Sequence, residues 1–336
     1  MEHAIDNFSL DNRSISVDTQ RFFALESPKR IRRHLSIHLT GHCYLPKAED
    51  PRSDWVASVA YPAFVAVRQM NIGSNIGRFA SIGTGAGIDA LAAIEVFGCR
   101  EVVVTDMHED VVNMAARNIA NNIAEHSPVV TVSALVGDLL APLSQTVNRF
   151  DLIYENLPNI PFHQDGNLQH DQTSSSYIGT RREDVPGFIH KNLLTLHYLA
   201  ILQAKSRLAK NGVILSSIGA RIPLSVLLQV AHEAGFTGSI LTYTWKVQSE
   251  PEEVISGYAA WQKQGLGPFY FYPVEVLYET FSNIDMVAAG DQSLEIERAL
   301  LPHRLDAIAA YEAYSQGQML GHTVAVLMSR FERDAE

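Results

Sequence analysis

Between residues 79 and 218, short apolar runs alternate with segments in which apolar residues recur every three or four positions. Short apolar runs are typical of buried strands, and the wider spacing is typical of helices that pack on one face. Their alternation predicts a parallel sheet that helices cover on both faces. The predicted strands are Phe79–Ile82, Val102–Thr105, Val129–Val136, Asp151–Tyr154 and Val213–Ile218. The predicted helices between them are Asp89–Phe97, Asp110–Asn121 and Phe188–Leu208.

The chain on either side of this region has a different pattern. From Ser16 to Thr40, apolar residues are interleaved with a basic run at 29–33, and we predict two helices that Pro28 separates. After Pro223 the pattern predicts two late antiparallel strands, which would suit the edge of the sheet, and further elements. These elements are helices at Leu224–Ala234 and Leu294–Tyr314 and strands at Ser239–Val247, Phe269–Tyr278 and His322–Ser329.

We therefore predict an α/β fold in three parts. Residues 1–60 form an N-terminal helical cap, and residues 61–222 form a Rossmann-like domain that binds a cofactor. Residues 223–336 form a C-terminal α+β segment that completes the sheet and adds a β-rich substrate subdomain. With 336 residues, of which 46% are hydrophobic, the chain has enough apolar material for this arrangement.

Charge and composition narrow the class of protein. The formal net charge of -11 repels polyanions and argues against DNA or RNA as a partner. No run approaches the roughly 20 apolar residues of a membrane span, and the first residues do not resemble a signal peptide. We therefore expect a cytoplasmic protein that does not bind membranes. Cys43 and Cys99 are far apart, so neither a disulfide framework nor a thiolate zinc site is expected.

Three histidines have a spacing that could indicate a metal site. On one helix, His34, His38 and His42 would lie along one stripe. Gly41 would end that helix before the third histidine, and no acidic or thiolate ligand accompanies the pattern. We therefore expect a solvated or packed histidine face and no metal.

A glycine-rich turn follows the first strand of the predicted sheet. The run Ile82–Gly87 reads Ile-Gly-Thr-Gly-Ala-Gly and opens a predicted helix. Its glycines let the backbone turn sharply and approach a ligand closely. The pattern is GxGxG and not the GxGxxG of dinucleotide-binding domains. This tighter turn suits a sulfonium cofactor with an amino-acid tail better than a pyrophosphate.

Acidic residues end the next two strands. Asp106 lies 23 residues after Gly83, where a carboxylate can accept both hydroxyl hydrogens of a ribose. Asp138 ends the following strand and is positioned for the edge of an adenine ring. The order of these three elements indicates an adenosyl cofactor. A nicotinamide dehydrogenase or a purely structural turn is the alternative.

From Phe79 to Ile218 the chain resembles class I S-adenosylmethionine-dependent methyltransferases. The resemblance implies S-adenosylmethionine as the cofactor, bound by Gly83, Thr84, Gly85, Gly87, Asp106, Met107, Asp138, Leu139 and Asn156. That family often has an acidic residue two places before the first glycine, where this chain has Ser81. Asp89, at the start of the next helix, is the candidate substitute that would neutralise the methionyl amine. Asp89 could also be only a favourable charge at a helix N-terminus.

The segment 150–161, FDLIYENLPNIP, resembles the Asn-Pro-Pro-Tyr signature of methyltransferases that modify planar nitrogens. A conjugated NH2 is a poor nucleophile until acceptors hold its hydrogens and aim the nitrogen at the methyl group. The Asn156 Oδ1 atom and the Leu157 carbonyl could be those acceptors, and Pro158 would fix the backbone that presents them.

Two residues of this segment depart from the signature. Asn159 replaces an aromatic residue that stacks on a flat base, which argues against a nucleobase substrate. Glu155 stands where a small residue is common, and its carboxylate would suit a guanidinium group and could accept a proton. Adjacent strand residues point to opposite faces, so Glu155 and Asn156 need not share a site, and Glu155 could be a loop cap or an exposed acid.

These residues lead us to expect an N-methyltransferase that acts on a small molecule. In the polar segment 163–186, His163 and Tyr177 are candidate substrate contacts, together with Arg181 and Arg182. The best single guess for the acceptor is the guanidino group of arginine or a relative. Taken whole, the chain is loosely similar to small-molecule arginine N-methyltransferases of bacterial natural-product pathways.

Other functions fit the same residues. The enzyme could be a C- or O-methyltransferase of a small metabolite, in which Asn156 merely shapes its loop. A nicotinamide-dependent oxidoreductase or a catalytically silent adenosine-binding module would also use a glycine turn. A homodimer is expected because two-fold dimers are the commonest oligomers.

Overall fold

The computed structural model describes residues 13–73, 75–143, 149–161, 176–177, 181 and 183–331. Its strands are β1 (Arg13–Asp18), β2 (His34–Leu39), β3 (Arg78–Ile82), β4 (Glu101–Asp106), β5 (Thr131–Val136), β6 (Phe150–Glu155), β7 (Ile160–Pro161), β8 (Ser176–Tyr177), β9 (Leu208–Gly219), β10 (Thr237–Val247), β11 (Tyr270–Pro273), β12 (Leu305–Asp306) and β13 (Leu320–Arg330). Its α-helices are α1 (Thr19–Phe23), α2 (Tyr61–Gln69), α3 (Ile88–Phe97), α4 (Glu109–Asn122), α5 (Gly187–Lys191), α6 (Thr195–Ala204), α7 (Leu224–Glu233), α8 (Pro251–Lys263), α9 (Val274–Phe281), α10 (Met286–Asp291), α11 (Ser293–Leu300) and α12 (Ala307–Ser315). A π-helical turn at Val56–Ala60 precedes α2, and a 3-10 turn at Leu301–His303 follows α11.

The central sheet has the strand order of a doubly wound α/β fold. Five strands run parallel in the order β5, β4, β3, β6, β9. The chain winds outwards from β3 in both directions, so the strand order reverses between β3 and β6. In such sheets, ligands bind outside the carboxyl ends of the strands at this reversal. The predicted α/β sheet is confirmed, and its two innermost strands end at Ile82 and Glu155.

Apolar side chains of the sheet pack in two hydrophobic cores, one on each face of the sheet. Along β6, Leu152 and Tyr154 pack in the core that contains residues of α2 and α3. Ile153, between them, packs in the opposite core with residues of α6 and α7. This alternation follows from the two-residue repeat of a strand. It places the next odd-numbered residue, Glu155, on the α6 side of the sheet.

The predicted N-terminal helical cap is wrong in its secondary structure. Strands β1 and β2 pair as an antiparallel hairpin, and only the short helix α1 lies between them. The apolar residues of β2 repeat every second position, at Leu35, Ile37 and Leu39, and all three are buried. That two-residue repeat determines the conformation, and the sequence interpretation overlooked it.

The second strand of the hairpin is fastened to α4. The side-chain amides of Asn118 and Asn122 exchange hydrogen bonds with the backbone of His38 and Ser36, at 2.8 to 2.9 Å. Both asparagines are buried. Two side chains of a helix thus form hydrogen bonds with the backbone N–H and C=O groups at the outer edge of β2, as a neighbouring strand would.

The C-terminal segment completes the sheet, as predicted, but it is not a β-rich subdomain. Strand β13 pairs antiparallel with β9 and β10 pairs antiparallel with β13, so both extend the central sheet. Most other elements between residues 223 and 331 are helices. The predicted strand Phe269–Tyr278 is only the short β11 followed by α9. Pro302 lies in the turn that interrupts the predicted helix Leu294–Tyr314, where proline removes a backbone donor. The domain boundaries at residues 60 and 222 stay a prediction.

No helix in the described part of the chain is both long enough and apolar enough to cross a membrane.

Candidate functional site

The glycine turn after β3 has the backbone geometry that its sequence predicts. Gly83, Gly85 and Gly87 have φ angles of +64°, +51° and +79°. This left-handed conformation strains residues that carry a Cβ atom. A Cβ atom on Gly87 would also lie 3.2 Å from the Cβ and carbonyl oxygen of Ala115 in α4. The turn is fastened to the next strand, because the N–H groups of Gly83 and Thr84 donate to the carbonyl of Thr105 at 2.9 and 3.1 Å.

The loop after β6 lies directly against this turn. A Cβ atom on Gly83 would be 3.2 Å from Cδ2 of Leu157. Asn156 precedes Leu157 and is half-buried. Its side-chain amide forms no hydrogen bond with the residues that the structure describes. The structure therefore brings the glycine turn and the Asn156–Leu157–Pro158 loop together at the reversal of the strand order, with an amide that can still bind a ligand.

Asp106 lies at the end of β4, next to the glycine turn. Its Oδ1 atom accepts a hydrogen bond from the N–H of His108 at 3.1 Å. Burial raises the pKa of this carboxyl above its usual value, and the backbone N–H of Gly85 is among the groups that oppose the rise. Asp106 thus lies beside the glycine turn, where the sequence interpretation expected it. The next residue, Met107, is 62% exposed.

Asp138 follows β5 and has a partner. The guanidinium of Arg181 donates to both of its carboxylate oxygens, each at 2.9 Å. The peptide that precedes Asp138 is fixed to β4, since the Gly137 N–H donates to the Asp106 carbonyl at 2.9 Å. Leu139 is buried, and its carbonyl accepts the hydroxyl hydrogen of Thr105 at 2.8 Å. Asp138 therefore forms a two-bond ion pair with Arg181, which also donates to Glu183 at 2.7 Å.

Ser81 lies two places before the first glycine of the turn, and the side chain of Asp89 lies beside it. The Ser81 hydroxyl donates a short hydrogen bond to Asp89 Oδ2. Asp89 is 5% exposed, and burial raises its pKa to about 6, opposed mainly by the bond from Ser81. The buried hydroxyl of Thr84 also lies beside this carboxyl and opposes the rise of its pKa. A buried acid thus lies beside the glycine turn although Ser81 itself is neutral.

The side chain of Glu155 does not face the site that Asn156 borders. Both of its carboxylate oxygens lie within 2.9 Å of Nδ1 of His197 in α6, and Oε2 also accepts from the Leu157 N–H at 3.1 Å. Glu155 and His197 are each 0% exposed. The expectation that Glu155 contacts a cationic substrate is therefore wrong for this structure, because strand alternation turns it into the α6 core. His197 was missed, since nothing in an apolar helix distinguishes a buried partner from an ordinary core histidine.

The segment after β2 lies over the glycine turn. The His42 ring stacks on that of His108 at 4.4 Å, and its Nδ1 lies 3.0 Å from Asp110. The next residue, Cys43, lies 3.9 Å from the position of a Cβ atom on Gly85. The segment is thereby held over the glycine turn.

The histidines near this segment do not form the predicted stripe. His34 and His38 lie on β2 and not on a helix, and His42 lies beyond its end. The donor atoms of His42, His108 and Asp110 come within 4.8 Å of one another. That no metal binds stays a prediction.

Three of the predicted substrate contacts lie wholly or partly outside the described residues. His163 and Arg182 lie outside the described residues. Tyr177 belongs to β8, whose backbone pairs in parallel with β7, but its side chain lies outside the description. Their roles as substrate contacts stay predictions.

Comparisons with known proteins give one curated relative and several solved structures. The ribosomal protein L11 methyltransferase of Geobacter sulfurreducens is 29% identical over 136 residues, which are 39% of this chain and 42% of that protein. The chain therefore spans less than half the length of this relative. No protein family model matches the chain.

Two solved structures are among those that are similar to the chain. The ribosomal protein L11 methylase of Lactobacillus delbrueckii subsp. bulgaricus has a TM-score of 0.36 and 20% identity, covering 62% of this chain and 90% of that one. The precorrin-6y C5,15-methyltransferase of Geobacter metallireducens has a TM-score of 0.38 and 8% identity. The match covers 82% of this chain and 89% of that one.

Proposed function

We propose that the protein is an S-adenosylmethionine-dependent methyltransferase. The observation that carries this proposal is the contact between the glycine turn and the Asn156 loop at Gly83 and Leu157. It joins a surface for an adenosyl amino acid to a polar loop that can orient an acceptor. The 29% identity to a methyltransferase supports it.

The residues around the turn fit the parts of this cofactor. Asp106 is a half-buried acceptor for the ribose hydroxyls, and Asp89 is a buried acid for the methionyl ammonium group. The hydroxyl of Thr84 adds to the polar lining, because it lies beside Asp89 and favours the ionised form of that carboxyl. When bound, the cofactor supplies the methyl group on a positively charged sulfur.

The acceptor is proposed to be a planar nitrogen. Asn156 Oδ1 and the Leu157 carbonyl would each accept one hydrogen of an NH2 group, so that the nitrogen lone pair points along the line of transfer. Transfer would release one N–H proton to water, because neither neutral acceptor can keep it. Pro158 restricts the backbone that presents the two acceptors. Since the protein need not form a covalent bond, such positioning could account for up to about 7–11 kcal/mol of the barrier.

We propose a small-molecule acceptor, with the guanidino group of arginine or a relative as the first compound to test. Asn159 supports the exclusion of nucleobases, because its side chain donates to the Leu193 carbonyl at 3.1 Å and offers no ring for stacking. The bond between Glu155 and His197 removes one argument for guanidinium. The planar-nitrogen chemistry therefore depends on Asn156 and Leu157 alone.

A protein substrate is the second candidate. It is favoured by the curated relative, which is named for methylation of ribosomal protein L11. Incubating the protein with isotopically labelled methyl donor and either a metabolite extract or a ribosomal protein fraction would separate the two candidates. Label in a small molecule supports the first, and label confined to a polypeptide supports the second.

Calorimetry tests the cofactor directly. We expect S-adenosylhomocysteine to bind and NAD to give no signal at the same concentration. Tight binding of NAD without a signal from S-adenosylhomocysteine would remove the methyltransferase proposal and favour an oxidoreductase.

The affinity for S-adenosylhomocysteine should depend on pH through Asp89. An ammonium group needs the ionised carboxylate, and the pKa of Asp89 is about 6. The dissociation constant should therefore rise about tenfold between pH 7 and pH 5, as the carboxyl becomes protonated. Calorimetry at several pH values measures it, and Asp89→Asn is the control that should bind more weakly at pH 8 and lose the pH dependence. An affinity that is constant from pH 8 to pH 5 would show that Asp89 does not meet the ammonium group.

A further inference from the structure

Beyond Asn156, the same edge of the sheet carries a buried basic group. It consists of Arg221, just after β9, Lys246 near the end of β10 and His322 near the start of β13. These residues are 4%, 7% and 2% exposed. Lys246 and His322 are partners in the β10–β13 register, so their side chains lie on one face. Because β13 is antiparallel to β9 and β10, its start lies at their carboxyl ends, where the candidate site is.

Arg221 folds back over the end of its own strand. A Cβ atom on Gly219 would overlap its Nη1 atom, so the guanidinium lies directly against that glycine. Its Nη2 atom donates to Gln248 at 2.6 Å, and its guanidinium carbon lies 4.9 and 5.4 Å from the ring centres of Tyr258 and Phe271. The Nε atom is buried without a hydrogen-bond partner in the described chain.

His322 lies between Arg221 and Lys246 and has no polar partner at all among the described residues. Both of its ring nitrogens are buried without hydrogen bonds. Burial and the two neighbouring cations hold the pKa of His322 well below its usual value. The ring is therefore neutral and can donate one hydrogen bond. Trp55 covers it, with ring centres 6.3 Å apart.

Lys246 differs from Arg221 because its three donors are already used. Its Nζ atom bonds to the carbonyls of Arg52 and Asp54 and to the Ser58 hydroxyl, at 2.8 to 3.3 Å. Burial lowers its pKa to about 8. Within the described part of the chain, no carboxylate lies within 4.0 Å of either cation. The carboxylate of Asp54 instead accepts the N–H groups of Lys47, Val56 and Ala57.

The Arg221 guanidinium donates to the neutral side chains of Gln248 and, at 3.5 Å, Tyr258, and a buried charge without an opposite charge is costly. We propose that Arg221 and His322 bind a carboxylate of the methyl acceptor, an inference that rests on the proposed function. Arg221 supplies the one cation with unused donors, which matches a singly charged carboxylate better than a phosphate. Because β9 and β13 are the first and second strands beyond β6, Arg221 and His322 lie roughly 5–10 Å from the end of β6, which Asn156 follows. The acceptor is then an amino acid or other carboxylic acid whose planar nitrogen lies at the far end of a short chain.

Simple anions test the site without knowledge of the acceptor. Thermal unfolding of the whole protein would be followed in sodium acetate, sodium phosphate and sodium chloride at equal ionic strength. At about ten times its dissociation constant, acetate should raise Tm by about 2 °C over chloride. An equal Tm in acetate and chloride, or a larger rise in phosphate that is lost when Arg221 is replaced, would overturn the proposal.

Arg221→Met removes the charge and keeps much of the shape, and Arg298→Met removes an exposed arginine of α11 as the matched control. The acetate effect should disappear in Arg221→Met and persist in Arg298→Met. Because Arg221 is buried without an acidic partner, Arg221→Met should fold with a Tm at or above that of the parent in chloride. If that variant does not fold, His322→Phe, which removes the other donor, should weaken the acetate effect. An undiminished effect in the folded variant contradicts the proposal.

The same samples keep this inference separate from the proposed function. Binding of S-adenosylhomocysteine without an acetate effect overturns the carboxylate site alone. An acetate effect without binding of S-adenosylhomocysteine overturns the proposed function, and with it the role of this site in binding a methyl acceptor.

Discussion

Replacing Asn156 with alanine should lower kcat for methyl transfer by about 10²–10³-fold, a loss comparable to that of one preorganised polar group at a reacting centre. Oδ1 of Asn156 would hold one hydrogen of the accepting nitrogen, and alanine cannot replace it. The side chain forms no hydrogen bond within the described chain, so its removal leaves no partner exposed. Transfer of labelled methyl gives the rate, and calorimetry with S-adenosylhomocysteine gives the cofactor affinity, which should change only a few-fold.

Two further variants make this test specific. Asn156→Asp keeps an acceptor oxygen at the same place and should retain more activity than alanine. Asn283→Ala changes an exposed asparagine far along the chain and should be silent. Normal turnover in Asn156→Ala would remove the planar-nitrogen mechanism and favour a C- or O-methyltransferase in which the loop only shapes the site.

The second large effect concerns stability. His197→Ala should lower the free energy of unfolding by about 3–5 kcal/mol, because it leaves the fully buried carboxylate of Glu155 without its partner. Urea unfolding measures this loss directly. Since Glu155 also accepts the Leu157 N–H, methyl transfer should fall as well when the loop is displaced.

The control for this variant is His190→Ala, which removes an exposed histidine of α5 and should change the stability by less than about 0.5 kcal/mol. In the double variant Glu155→Gln with His197→Ala, the second substitution should cost less than it does alone, because the charge is already removed. Additive losses in the double variant would show that the two side chains do not stabilise each other.

The sequence predicted the part of the site that parallel strands determine. A glycine turn after one strand and a polar loop after its neighbour must meet at one edge, and Gly83 and Leu157 do so. Strand alternation also indicated that Glu155 and Asn156 could point to different faces. It could not identify His197, 42 residues further along, because the contact depends on how α6 packs against β6.

Other features needed the register of strands that are distant in sequence. The helix prediction for residues 16–40 does not use the two-residue repeat at Leu35, Ile37 and Leu39, so it misses the N-terminal hairpin. Arg221 and His322 are 101 residues apart in the sequence, and they lie close together only because β13 lies beside β9. No local pattern around either residue indicates this proximity.

The position of β13 has a consequence for how the chain matures. It hydrogen-bonds between β9 and β10 although it is synthesised after both. A nascent chain that has emerged only as far as residue 319 therefore presents two apolar strands with unpaired backbone groups, which are prone to pair with other chains. When β13 pairs with β9 and β10, it satisfies the free backbone groups of both strands and brings Arg221, Lys246 and His322 together. Chaperones that shield exposed strands would be needed most in the interval before it.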